Sequence, residues 1–163
     1  MLSFIQKLYD TRYRLMIFAL LGVSGCANVD VSATRALPAV ENALQHELHI
    51  QYSELALHEK AEGNPQSAKL FNDKARQAAS GVVVNPEKPK NTAMHESYDQ
   101  LMRIMGSREN IIGPADVARA QVMYDCWLEE QSENIDKGDI AACKEGFEAV
   151  RHIYESKLSE VRQ

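Results

Sequence analysis

The residues whose types and spacing could do chemistry are few: cysteines at 26, 126 and 143, five histidines, and an acidic loop at 133–139. His46-Glu47-Leu48-His49 has the residue types of a zinc-protease helix, but that motif needs its histidines at i and i+4, one helical turn apart on one face. The required position here is Ile50, so the spacing fails by one residue. Asn42, His46, His49 and Ser53 share the polar face of the same helix with no carboxylate among them, and the expectation is a solvated face with at best an adventitious metal site. The segment Asn134-Ile135-Asp136-Lys137-Gly138-Asp139 has the look of a calcium loop. With Gly138 at the turn position, however, Ile135 and Lys137 fall where oxygen ligands are required. His58, His95 and His152 are isolated, and no phosphate-binding glycine loop, nucleophile elbow or serine or cysteine with a suitably spaced histidine occurs. The chain is therefore expected to be non-enzymatic, with no catalytic residues, no metal and no cofactor.

The cysteines are more informative. Val23-Ser24-Gly25-Cys26 has the layout of a lipobox: an aliphatic residue, two small residues, then a cysteine whose sulfur can take a diacylglycerol in thioether linkage. It follows a basic segment with Lys7, Arg12 and Arg14 and an apolar stretch, 15–23, which together have the order of an export signal. The apolar or small run is about 13 residues, against the roughly 20 that a membrane-spanning helix needs. Residues 1–25 are thus expected to be a lipoprotein signal peptide, 26–37 a lipidated tether and 38–163 a helical periplasmic domain. Three acyl chains exceed the two signals that stable anchoring requires. Ala27, where inner-membrane lipoproteins often carry aspartate, favours the outer membrane. Assigning Cys26 to lipid leaves Cys126 and Cys143 as an even pair in an oxidising compartment.

Helical periodicity dominates the rest. The stretch 27–38 is polar and without period, long enough to reach roughly 40 Å if extended. A first helix is expected over about 38–62, ended by Gly63-Asn64-Pro65, with one stripe of Leu37, Leu44, Leu48, Tyr52 and Leu55 and a second of Ala43, Ile50, Leu57 and Ala61, so that it packs against two neighbours. A second, about 65–80, presents Ala68, Phe71, Ala75, Ala78 and Ala79, a small-residue face suited to close approach. The proline-bearing stretch 83–91 is expected to be the most mobile loop. A third helix over about 92–105 carries Met94, Tyr98, Leu101 and Met105. A fourth, from Gly113-Pro114 to about Ser132, carries Val117, Ala120, Tyr124, Trp127 and Leu128. A fifth, capped by Asp139, carries Ile140, Cys143, Phe147, Val150, Tyr154 and Leu158 as a heptad-like seam. The fold class is all-α: about five helices packed as antiparallel hairpins. In an antiparallel pairing of the last two helices, Cys126 and Cys143 reach similar heights, so a disulfide is expected, worth roughly 3 kcal/mol; two buried free thiols are the alternative.

Tyr52, Leu55, Ala56, Gly63, Ala68 and Ala75 fall at the spacings of a tetratricopeptide-like hairpin. The segments CANVDVSATRALP after the lipobox, AKLFNDKA at 68–75, ARAQVMYDCWLEEQ at 118–131 and DIAACKEGF at 139–147 resemble the helical N-terminal half of certain OmpA-family lipoproteins. That resemblance implies a lipid-anchored helical module without the C-terminal OmpA-like peptidoglycan-binding domain. The net charge of −5 becomes about −7 without the signal peptide, which argues against nucleic acid. The expected partners are the membrane, through lipid on Cys26, and an envelope protein docked on the helical domain at the periplasmic face of the outer membrane. The competing reading is a periplasmic small-ligand-binding or carrier protein, with a cleft between the hairpins near Trp127 and the Met-rich third helix.

Overall fold

A computed structural model describes residues 29–163, apart from Lys90, residues 108–110 and Ile135. Cys26, the lipobox and the expected signal peptide lie outside the described residues. Among those described the structure is all-α: α1 Val31–Arg35, α2 Ala43–Glu62, α3 Pro65–Ala79, a single 3₁₀ turn at Thr92–Met94 running into α4 His95–Met105, α5 Pro114–Glu133 and α6 Lys137–Val161. No helix among them is long and apolar enough to cross a membrane.

The helix ends follow from local chemistry. Asn42 caps α2 by accepting from the Gln45 amide at 3.0 Å, so the helix begins five residues later than the Pro38 start expected from sequence. Gly63 ends α2 at φ 83°, a left-handed conformation that costs glycine nothing. Asn64 then caps α3 with Pro65 in its first turn, which makes the α2–α3 connection tight. Asn134 closes α5 at φ 53°. The N-cap of α6 is Asp136, accepting from the Gly138 amide at 2.6 Å; Asp139, the expected cap, lies inside the first turn.

Two antiparallel hairpins result, α2–α3 and α5–α6, with α5 laid between α2 and α6 and α4 against α5 and α6. The expected small-residue face of α3 is there: Ala68, Ala75 and Ala78 are fully buried. One core runs through both hairpins, with Leu48, Tyr52, Phe71, Leu101, Tyr124, Phe147 and Val150 at 0–1% exposure. Each such large apolar side chain stabilises by about 1.5–3 kcal/mol. On the α5–α6 side, Gly146 lets the helices come close: a Cβ there would stand 2.7 Å from the Met123 sulfur. Cys126 and Cys143 form a disulfide across this hairpin, with Cα atoms 5.7 Å apart, as their heights suggested.

Three expectations need correction. Part of the supposed tether is folded: Val31 and Thr34, three residues apart on one face of α1, are 1% and 2% exposed, with Asp30 as cap. A five-residue helix does not stand alone in water, and this one is held on α2. Second, the second buried face of α2 is polar. Gln45, His49 and Ser53 are buried, whereas Ile50 and Leu57 are half-buried and Ala43 and Ala61 exposed. Third, the stretch 83–91 is not a loose loop over the residues described. Val84 is 2% exposed and is tied on both sides: its amide donates to Gln45 Oε1 and its carbonyl accepts from Gln121 Nε2.

Candidate functional site

His49, expected in solvent, is buried and joins two elements. Its Nε2 lies 2.9 Å from the Thr34 carbonyl, which can only accept, so this nitrogen carries the proton. Ser53 donates back to the His49 carbonyl, Lys60 Nζ donates to the Val29 carbonyl at 3.0 Å, and Arg35 pairs with Glu54. The polar face of α2 is therefore the seat of α1. His46 and His49 belong to neither of the two groups of clustered potential ligand side chains among the described residues.

The densest buried chemistry lies where α2, α3 and α5 meet beneath the 81–89 strap. Asp125 is 1% exposed. Its Oδ2 accepts from the Tyr52 hydroxyl at 2.5 Å and from Lys74 Nζ at 2.8 Å, and its Oδ1 accepts from the Glu87 amide at 2.8 Å. Lys74 Nζ donates to Asp125 and to the Asn85 carbonyl at 3.0 Å, and its charge pairs with Glu87 Oε1 at 2.9 Å. Gln121 donates to the Tyr52 hydroxyl oxygen and to the Val84 carbonyl. Burial raises the Asp125 carboxyl above its ordinary value, and the Lys74 ammonium, the Tyr52 hydroxyl and the Glu87 amide offset only part of the rise. Burial, followed by the Asp125 charge, raises the Tyr52 phenol well above its ordinary value, so it stays a neutral donor. Every strong donor here is spent on the chain itself. The arrangement is a clasp that closes the strap over the core.

A second buried acid has no such partners. Glu59, on the Tyr52 face two turns further along α2, is 1% exposed, and neither of its carboxylate oxygens has a hydrogen-bond donor. Its neighbours are other acids: the ligand oxygens of Glu59, Glu62 and Glu130 lie within 4.8 Å of one another. Burial first, then Glu130, Glu62, Glu133 and Glu129, push the Glu59 carboxyl up to about 8. Burial, with Glu133 and Asp139 next, raises Glu130 as well. Asn64 donates to Glu133, and the Ser67 hydroxyl, 2.8 Å from Glu129 and 3.0 Å from Glu133, has a single hydrogen and can serve one of them at a time. A cleft of about 630 Å³ opens over this group, lined by Glu62, Glu130, Glu133, Asp136 and Asp139 beside the Gly63-Asn64 turn.

Of the residues expected to matter, Cys126 and Cys143 are brought together. Trp127, the suggested wall of a ligand cleft, is instead 8% exposed, packed on Phe147 at 6.2 Å between ring centres, with the Lys144 ammonium over its face. It lines neither the acidic cleft nor the apolar cleft of about 270 Å³ at Leu44, Ile104, Ile112 and Val117. Sequence reasoning missed Lys74, Asp125 and Glu59 altogether. The signal was present: Lys74 falls among Phe71, Ala75 and Ala78, and Glu59 falls three and four residues after Ala56 and Leu55, so each is a charge in an otherwise buried stripe. Comparison with known proteins returns no relative: no family model matches the chain, and neither a curated protein nor a solved structure matches it.

Proposed function

We propose that the protein is a lipid-anchored, non-enzymatic envelope lipoprotein, a structural or protein-docking module at the periplasmic face of the outer membrane, of the kind that builds larger wall-linked or secretion assemblies. The observation that carries this reading is the Cys126–Cys143 disulfide. It favours an oxidising compartment and leaves Cys26, directly behind the basic and apolar leader, as the one cysteine free for lipid.

The docked α1 sharpens what such an anchor would do. With residues from Val29 onward held on α2, the leash from Cys26 is three residue steps, about 10 Å at full extension, in place of the roughly 40 Å of a free tether. The helical domain would then rest against the membrane surface. The strap offers a contact for a partner: Val82 and Val83 are 54% and 69% exposed, while Val84, the next residue, is fixed in the core. An apolar pair on a rigid support loses little entropy on binding.

Envelope fractionation of wild type and Cys26→Ser tests the anchor. The variant is expected to fold and to leave the membrane fraction for the soluble one; membrane retention would overturn the reading. A photo-crosslinking residue at Val83 tests the docking, with a discrete crosslinked protein expected and none contradicting it.

A further inference from the structure

We propose that the acidic cleft where the last turns of α2 and α5 meet binds a divalent cation of the calcium type through the carboxylates of Glu59, Glu62 and Glu130. This site is independent of the lipid anchor and of the docking surface.

Three observations converge on it. The first is the burial of Glu59: 1% exposed, both oxygens without a donor, and one of them within 4.8 Å of an oxygen from each of two further carboxylates. Buried ions are ordinarily paired, and in the Asp125 clasp this chain supplies the partner itself. At Glu59 it supplies only more acid, and among the described residues no lysine or arginine pairs with Glu59, Glu62 or Glu130; Glu62 has His58 at 3.2 Å.

The second is spacing. One ligand oxygen from each of the three carboxylates lies within 4.8 Å of the others, close enough for a single ion with bonds of about 2.3–2.6 Å to reach all three. Magnesium keeps several of its waters and is usually held by one or two carboxylates, so a set of three protein carboxylates favours calcium. An all-carboxylate set also suits a hard cation and not a transition metal.

The third is access. The cleft above Glu62 and Glu130 is open to solvent and walled by Glu133, Asp136 and Asp139, which would draw a cation in. Asp136 and Asp139 sit at the start of α6, where the helix favours negative charge, but Glu62, Glu130 and Glu133 sit in last turns, where it does not. A cation there would join α2 to α5, and so one hairpin to the other. The failed calcium-loop register at 133–139 is no obstacle, because two of the three ligands come from α2.

The test is calcium titration of the full chain after chelator treatment, read by calorimetry and by thermal unfolding. The expected result is a saturable isotherm for calcium chloride, weaker for magnesium chloride, with Tm rising by roughly 4 °C at ten times the Kd. Glu59→Gln and Glu130→Gln are expected to fold and lose at least tenfold in calcium affinity, whereas Asp99→Asn, on the exposed face of α4, keeps it. Two results would overturn the proposal. One is absence of binding up to about 10 mM, above the weak end of protein calcium sites, which would mean that Glu59 and Glu130 simply share a proton. The other is equal binding by wild type and both glutamine variants, which would mean diffuse attraction to an acidic surface.

Discussion

Asp125 and Glu59 are both buried acids at the junction of α2 with α5, and they are treated in opposite ways. Asp125 has an ammonium, a phenol and a backbone amide aimed at its two oxygens. Glu59, about two helical turns along α2 from Tyr52, has two more glutamates and no donor. The difference teaches which polar burial is architecture and which leaves its charge to be balanced from outside the chain. At Asp125 both carboxylate oxygens are hydrogen-bonded, which offsets part of the cost of burying the ion, and the return is a strap fixed across three helices. At Glu59 the same cost is left standing, so the native state must take up a proton or a cation there.

The largest effect should come from breaking the satisfied side. Lys74→Ala leaves the Asp125 charge buried with only Tyr52 and the Glu87 amide, and should cost about 3–5 kcal/mol in denaturant unfolding. Replacing both ions with apolar residues, Lys74→Met with Asp125→Leu, should recover most of that loss, because the penalty lies in the orphaned charge. If the double variant were as unstable as the single one, the clasp would matter through its shape and not through its charge balance.

A smaller effect is expected at the α1 seat. His49→Ala removes the hydrogen bond to the Thr34 carbonyl and should cost about 1–2 kcal/mol. Hydrogen exchange should then quicken at Val31–Arg35 well before it changes in α2. Unchanged protection in α1 would show that Val31 packing alone holds it, and would leave His49 as a filler.

How far these features were legible in the sequence depends on what each one needed. The two hairpins, their turns and the heptad seam of α6 follow from apolar spacing and from Gly63, Asn64 and Pro114, all local signals. The disulfide followed from the near equality of two heights in a hairpin. The clasp and the acidic cleft did not follow, because each is assembled from three or four elements far apart in the chain: Tyr52 with Lys74, Glu87 and Asp125, and Glu59 with Glu130. What the sequence held was only the anomaly of Lys74 and Glu59 within apolar stripes, and an anomaly does not name its partner. The polar face of α2 misled for a related reason. Asn42, His46, His49 and Ser53 look like a solvent face until α1, too short to register as a helix, is placed on it. The stretch 83–91 was read as loose from its prolines, yet its fixity comes from Gln45, Lys74, Gln121 and Asp125, none of them nearby in sequence.

The contrast between the two acids is tested most directly by the pH dependence of unfolding free energy, measured in chelator for wild type and Glu59→Gln. The Glu59 carboxyl is raised from 4.5 to about 8 in the folded chain, so folding favours its protonated form. Its contribution is complete below the unfolded value and is lost as pH rises through about 8. Wild type should therefore lose stability between pH 5 and 8, on the order of a few kcal/mol. Glu130, which burial also raises, keeps a residual slope, while Glu62, Glu129 and Glu133 are the other carboxylates whose charge acts on Glu59. Glu59→Gln should be the more stable protein at pH 8 and should show a clearly shallower decline. Identical slopes in the two proteins, or a less stable Glu59→Gln at pH 8, would contradict the view that this carboxylate, unlike Asp125, is buried without its counter-charge.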